Sequence, residues 1–465
     1  MLNNSAGDRL KNESNAIVLV ISIFTFGSAL PISTINVALP DIASDLHLSA
    51  RQLSWIPLIF LLASVILVLP CGRIADLYGR MKIFKLSIWF VLASAIGAAL
   101  APSAEWLLAL RFCQGCAAAV GFVLLISIIS SAVEKSSRGR AFGIIASAMY
   151  FGLTAGPLIA GYVTSYLSWR ATFLLHVPFM LVALIIGYRR IDSEWRIAKG
   201  ERFDWVGAAI YGFGVVLFTV GALSIPAKFS AVLLAFGTLG LFLFTRHQLA
   251  QAHPLIKVGL FRQNKVFAYS CLASIFMYAA NFSSLILVSL YLQYIKAIPP
   301  EIAGWVLMVN PLSTAFVTPF AGRAADSFEP KYVASIGITL TAIGLFILAF
   351  VSRASPLSIV IFAMLAMGVG FAFFAPVNAH AIMGSIDEQD YATGAGAHAS
   401  VRLIGQLSSM AAVSIVFALV IGPTQISPET YPTLATALQY CFGLATLACF
   451  PAYYYSINRG QILTS

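Results

Sequence analysis

Arg111, Arg402 and His176 are the side chains whose chemistry most needs explaining, because each stands inside a long run of apolar residues. A guanidinium in lipid costs about 2.5 to 3.5 kcal/mol on insertion scales, so both arginines should face a protein interior or a wet cavity and find a partner there. His176 lies in Leu175-His176-Val177-Pro178; an imidazole titrates near neutrality and can carry a proton, or it can serve as a hydrogen-bonded packing group. Asn36, Gln114, Tyr150, Asn281, Asn310 and Gln406 occupy similar runs and offer uncharged contacts, either to a ligand in an apolar cavity or between helices. His380 and His398 fall near the ends of theirs. By contrast, the eighteen Asp and Glu map to loops, tails or the ends of runs, which leaves no carboxylate expected in an apolar interior.

The elements that must position these groups follow from composition. Of 465 residues 60% are hydrophobic and 10% charged, against about 25% charged in a soluble domain. A bilayer helix needs about 20 apolar residues, and fourteen runs of that order recur along the chain. The first is predicted at 16–40, the sixth at 169–188, the ninth at 266–292 and the last at 433–455. The first run is too long for a signal-peptide core and has no small-residue cleavage site, so it is expected to remain in the mature protein.

Lys and Arg set the orientation. With the N-terminus in the cytoplasm, 21 of the 28 fall on that side and five on the other, as the bias of short cytoplasmic loops requires. The net charge of +10 is thus explained by topology, with no nucleic-acid partner. Trp55, Trp106, Trp169 and Trp305 fall at the outer ends of runs, where an indole can sit among headgroups. The six cysteines lie in or beside apolar runs; Cys113 and Cys116 have no companion pair to complete a zinc site, so no metal or other cofactor is expected.

Two long basic breaks, Arg189 to Asp204 and Arg246 to Lys265, bracket a pair of runs. Removing that pair leaves six runs on each side, and the sides repeat: Gly72-Arg73-Ile74-Ala75-Asp76 follows the second run of one, and Gly322-Arg323-Ala324-Ala325-Asp326 the second run of the other. The reading is an all-α integral membrane fold: a six-helix bundle over 1–195, a two-helix insert over 196–252 and a second six-helix bundle over 253–465. Transporters built from such repeats place the solute between them, near the bilayer midplane.

Several motifs resemble the major facilitator superfamily, specifically its fourteen-span drug:proton antiporter branch. Gly72 to Lys82, with Arg73, Asp76, Gly79 and Arg80, is similar to the family's loop between its second and third helices. The resemblance implies a conformational latch, in which Asp76 pairs with basic neighbours or faces a helix N-terminus; Asp326 occupies the equivalent place in the second half. Gly152, Gly156, Pro157 and Gly161 are similar to the family's antiporter motif, with Ala160 in place of one closing glycine. Arg111-Phe112-Cys113-Gln114-Gly115 resembles the element that the family associates with proton coupling. Asn36 to Pro40, Trp169-Arg170 and Phe203 to Gly207 also resemble this branch. The sequence departs from it where Pro31 replaces the usual first-helix Asp and His176 an expected Asn.

The resemblance implies secondary export of a small amphipathic solute such as a drug, metabolite or siderophore, coupled to protons, by a monomer in the inner membrane with both termini cytoplasmic. The positive interior favours a neutral, zwitterionic or anionic solute. Alternatives are a facilitative or importing carrier, or a non-transporting sensor or scaffold. No ATP-binding loop and no nucleophile–base or metal motif points to a pump or an enzyme.

Overall fold

The computed structural model describes residues 2–134, 137–198, 200–251, 254–387 and 391–461, and the side chains from Asn12 onward except those of Asp326 and residues 391–393. Among the described residues fourteen helices are long and apolar enough to cross a bilayer. The first half comprises α1 (Asn12–Asp45), α2 (Ala50–Tyr78), α3 (Arg80–Ala99), α4 (Ala104–Ala132), α5 (Arg138–Tyr166) and α6 (Trp169–Arg190). The insert is α7 (Trp205–Leu223) and α8 (Ser230–Ala250). The second half comprises α9 (Lys265–Ile295), α10 (Pro300–Ala325), α11 (Pro330–Ala349), α12 (Leu357–Gly384), α13 (Gly394–Val420) and α14 (Pro428–Ile457).

Polar residues mark where these helices start, because the first N–H groups have no partner within the helix. Ser49 and Gln52 form a reciprocal capping box at α2, and Ser103 and Asn264 cap α4 and α9. Asp204 caps α7 through Gly207 N (2.8 Å) and is clasped by His247 and Gln248 of α8, each at 2.9 Å. Burial pushes the Asp204 carboxyl up, but these bonds together hold it below the usual carboxylate range. The insert is thereby pinned at one end, and α7 lies against α2 and α13, with Tyr211 Oη donating to Val65 O at 3.0 Å.

The packing of the second half repeats that of the first. α1 pairs with α5 and α2 with α4; likewise α9 pairs with α13 and α10 with α12. Between halves the pairs are α5 with α10 and α13 with α2, which the repeat makes equivalent. The bonds across the α1–α9, α2–α13 and α5–α10 seams gather at one end of the bundle. There Ala50 N donates to Thr424 O (3.1 Å), Gln425 Nε2 to His47 O (2.8 Å), Gln293 Nε2 to Val37 O (3.0 Å), and Ser165 to Glu301. At the opposite end Gly139 and Gly143 of α5, Gly322 of α10 and Gly396 of α13 have open space where a side chain would stand. The halves are bonded to each other at one end, while these four glycine positions at the other end are open.

Three expectations are revised. α1 runs through Pro40 to Asp45 rather than ending at 40, since a proline inside a membrane helix is tolerated when neighbouring groups satisfy the freed carbonyl. α9 continues to Ile295 but is interrupted at Phe282 and Ser283. Trp106 and Trp305 are exposed at 53% and 49%, whereas Trp169 is 3% exposed: its indole donates to Asp45 at 3.1 Å and carries the Arg170 guanidinium on its face, so it packs the bundle rather than meeting headgroups.

The joined end depends on close backbone approach. A Cβ on Gly161 would lie 2.6 Å from Pro300 O and 2.8 Å from Glu301 Cα, backbone atoms that cannot swing aside. Gly161→Leu should therefore part α5 from α10 there, overpacking typically costing about 1–3 kcal/mol. A longer distance between spin labels at the exposed positions Leu167 and Ile302 is the expected result; an unchanged distance would show that the contact does not hold the halves.

Candidate functional site

Between the halves lies a cavity of about 230 Å³. Its walls come from α1, α2, α4 and α5 on one side and α9, α10, α12 and α13 on the other. Most of the lining is apolar and aromatic, including Phe60, Phe122, Phe282 and Phe371. Seven of the polar groups singled out in the sequence line it: Asn36, Arg111, Tyr150, Asn281, Asn310, Arg402 and Gln406. Gln114 and His176 are buried at 4% and 1% exposure but are not among the lining residues; they stand behind the wall.

The two arginines are held differently. Arg111 is 2% exposed; its Nη1 donates to Gln114 Oε1 at 2.9 Å, its Nε to Ile56 O at 3.4 Å, and its guanidinium lies 4.6 Å from the Phe60 ring. These contacts offset part of the desolvation of a buried cation. Arg402, from the opposite half, is half-buried, lies 5.8 Å from the Phe122 ring and leaves its Nε without a hydrogen-bond partner. Thus Arg111 is held by protein partners, whereas the buried Nε of Arg402 is left without one. His176 sits in the turn that interrupts α6 and is near enough to Arg111 to feel its charge; its Nδ1 is buried with no partner.

The uncharged groups divide similarly. Asn310 ties α10 to α12 through Met364 O at 3.4 Å, and Tyr150 of α5 lies near Thr318 of α10. Asn281 closes the first segment of α9 and has an unpartnered Oδ1. The break after it is stabilised from α13: Ser409 Oγ accepts from Ser283 N at 3.1 Å and donates to Ser283 Oγ at 2.9 Å. Irregular backbone is tolerated at this depth where it lines a cavity and is satisfied by protein.

The Gly72–Lys82 loop lies away from the cavity. Asp76 accepts from Arg80 Nε at 2.7 Å, and Arg80 Nη1 donates to Ser127 O and Ser131 Oγ of α4, each at 2.8 Å. Arg73 pairs with Glu201, and Gly72 packs beside Val123 of α4. The carboxylate at the N-terminus of α3 is not Asp76 but Glu194, which accepts from Met81 N and Lys82 N at 2.8 Å each. Gly79 makes this possible: its φ is +117°, and a Cβ there would collide with Glu194. Asp326 falls in the helical stretch past Ala325; its side chain lies outside those described.

In α5, Gly152 and Gly156 sit against α1, where added Cβ atoms would strike Phe26 O and Ser33 respectively, while Gly161 and the carbonyl of Pro157 meet α10. The motif helix therefore packs on its own half and on the partner half at once. Two polar arrangements escaped the sequence reading. Arg459, fully buried beyond the last helix, donates to Asn378 Oδ1 at 2.7 Å and to Ser270 Oγ at 3.4 Å; a tail charge gave no sign of it. Asp41 is half-buried inside α1 with an unpartnered Oδ2, and only a helix running through Pro40 would have revealed it.

A family model for the Major Facilitator Superfamily matches residues 21–272 and 270–459. The chain belongs to that family and is a multi-pass membrane transporter of its type. Over 86% of its length and 87% of the relative's it is 29% identical to "Uncharacterized transporter YebQ" of Escherichia coli (strain K12). It is 23% identical, over 93% and 95%, to "Riboflavin transporter RibZ" of Clostridioides difficile (strain 630), and 24% identical, over 83% and 72%, to "Multidrug resistance protein Stp" of Mycobacterium tuberculosis (strain CDC 1551 / Oshkosh). Its fold matches the crystal structure of a peptide transporter POT in complex with sulfate at a TM-score of 0.71 and 13% identity, over 97% and 96% of the two chains.

The contrast between the arginines gives a test. Arg111→Ala strands Gln114 and should lower stability by about 1–3 kcal/mol, the cost of unsatisfied buried polar groups, while Arg402→Ala should leave thermal unfolding in detergent nearly unchanged. Equal losses would mean that both arginines are structural.

Proposed function

We propose that this chain exports a small amphipathic solute by alternating access, driven by the proton gradient. The observation that carries the reading is a cavity walled by both halves, which are joined at one end only. In this proposal 1–195 and 253–465 rock about the cavity as units, with 196–252 carried against α2 and α13. The distribution of Lys and Arg favours an inner-membrane orientation with both termini cytoplasmic. The joined end then faces outward and the cavity faces the cytoplasm, where an exporter collects its load. Both walls of the cavity come from this chain's own two halves, which supports action as a monomer.

Two guanidiniums reach the cavity, one from each half, and no Asp or Glu is among its described lining residues. That balance favours an anionic, zwitterionic or neutral solute over a lipophilic cation, because a cation would meet uncompensated positive charge in a medium of low dielectric. The relatives named for riboflavin and for multidrug resistance support an organic solute with an aromatic or amphipathic body. A second reading, a facilitative or importing carrier, draws on the same feature: the described lining residues offer no carboxylate to exchange a proton against the solute.

Sealed proteoliposomes containing a pH dye separate these readings. Anionic and neutral solutes should drive proton movement and cationic drugs should not, with Arg402→Ala lowering anion flux about tenfold or more, the loss expected for a charge-assisted contact of about 1.5–3 kcal/mol. Solute flux without proton movement would favour the facilitator, and no flux for any solute class would favour a sensor. His176→Ala should abolish proton movement if that imidazole carries the proton; retained coupling would leave it a packing group behind Arg111.

The loop adds a separate expectation. Asp76→Asn removes the charge on which Arg80 is held but leaves the α4 contacts, so turnover should fall several-fold at unchanged expression. Unaltered turnover would leave the loop as a structural cap on α3 and α4.

A further inference from the structure

No carboxylate is among the described lining residues of the cavity, but the joined end holds one with a buried, unpartnered oxygen. Asp41 lies inside α1, one residue past Pro40, and its Oδ2 is buried without a hydrogen-bond partner. α9 of the opposite half covers the same turn: Tyr294 Oη donates to Pro40 O at 3.4 Å and Gln293 Nε2 to Val37 O at 3.0 Å. The Tyr294 ring is near enough to feel the Asp41 charge and is itself 5.9 Å from the Tyr431 ring of α14.

The charged groups around this turn are matched elsewhere. Arg170 of α6 holds Asp45 at 2.6 Å, and the exposed His47 lies beside Asp45 as well. Lys296 of α9 donates to Arg353 O and Ser355 O at 2.8 and 2.6 Å. Arg51 of α2 donates to Leu223 O, and Glu301 of α10 accepts from Ser165. None of these contacts compensates a negative charge on Asp41.

We propose that Asp41 is a proton-binding gate, protonated while the halves are joined at this end and ionised once they part. A carboxylate with a buried, unpartnered oxygen is costly as an anion and tolerable as a neutral acid. Parting the halves lifts Tyr294 and Gln293 away and lets water solvate the anion. Protons from the outer solution therefore bind the joined state better than the parted one, and acid shifts the population toward joining. Asn36, in the cavity wall, lies five residues back on the same helix, about 7.5 Å along its axis, so a solute at Asn36 and a proton at Asp41 bias one rigid element.

This inference rests on the alternating-access reading. The test uses full-length protein in nanodiscs, its six cysteines replaced, with spin labels at the exposed positions Ser44 and Glu429 across the gate. The wild type should show a long-distance component that grows several-fold from pH 5.5 to pH 8.5. Asp41→Asn, which stays neutral, should give the acid distribution at both pH values, while Asp45→Asn should keep the wild-type response. Asp41→Ser serves should the asparagine variant fail to fold. An Asp41→Asn protein that retains the wild-type pH response would overturn the gate but not alternating access. A wild type with no second distance at any pH, with or without solute, would overturn both.

Discussion

The contact on which this structure turns is backbone against backbone: Gly161 of α5 on Pro300 and Glu301 of α10, with the carbonyl of Pro157 against Gly304. Lipid provides no hydrophobic drive for one helix to seek another, so association has to come from close packing and hydrogen bonds, and small residues permit the closest approach. Glycine gives α5 two such faces. Gly152 and Gly156 bring it onto α1 of its own half and Gly161 onto the other, so a tilt of α5 cannot occur without moving one of its partners. The equivalent seam between α2 and α13 carries the Ala50–Thr424 and His47–Gln425 bonds. The two seams correspond to one another under the repeat, as the proposed rocking of the two bundles requires.

The arginines illustrate a second constraint. Taking a guanidinium out of water must be offset at the site itself, and Arg111 has its own glutamine, a carbonyl and a phenyl face for that purpose. Arg402, on a cavity wall, is less completely matched, its buried Nε having no partner.

Much of this was legible in the sequence because bilayer thickness imposes length and apolarity on every span. The fourteen helices follow from that. Seven of the nine polar residues assigned to the cavity line it, since a polar side chain at mid-depth has few other places to go. Depth along a span was readable, but angular position around the helix was not, so Gln114 and His176 could not be told from their cavity-facing neighbours. The bound at Pro40 fell short: α1 continues to Asp45 and takes Asp41 inside. Glu194 was invisible as the cap of α3, because its partner amides are more than a hundred residues away in sequence and only the fold of the linker brings them together.

The placement of charge also bears on how solute and proton can be linked. Where a cavity is lined by acid, a cationic solute and a proton compete for the same oxygen atoms, and exchange follows from that competition. Guanidinium groups offer a solute no atom that a proton would also occupy. Linkage must then pass through the equilibrium between conformations, each ligand favouring one state by its difference in affinity for the two. That requires an ionisable group whose surroundings change when the halves part, placed at a seam rather than in the cavity. The turn of α1 beneath Tyr294 meets this requirement: its backbone is held by the opposite half, so under the proposed rocking its exposure to water would change as the cavity opens.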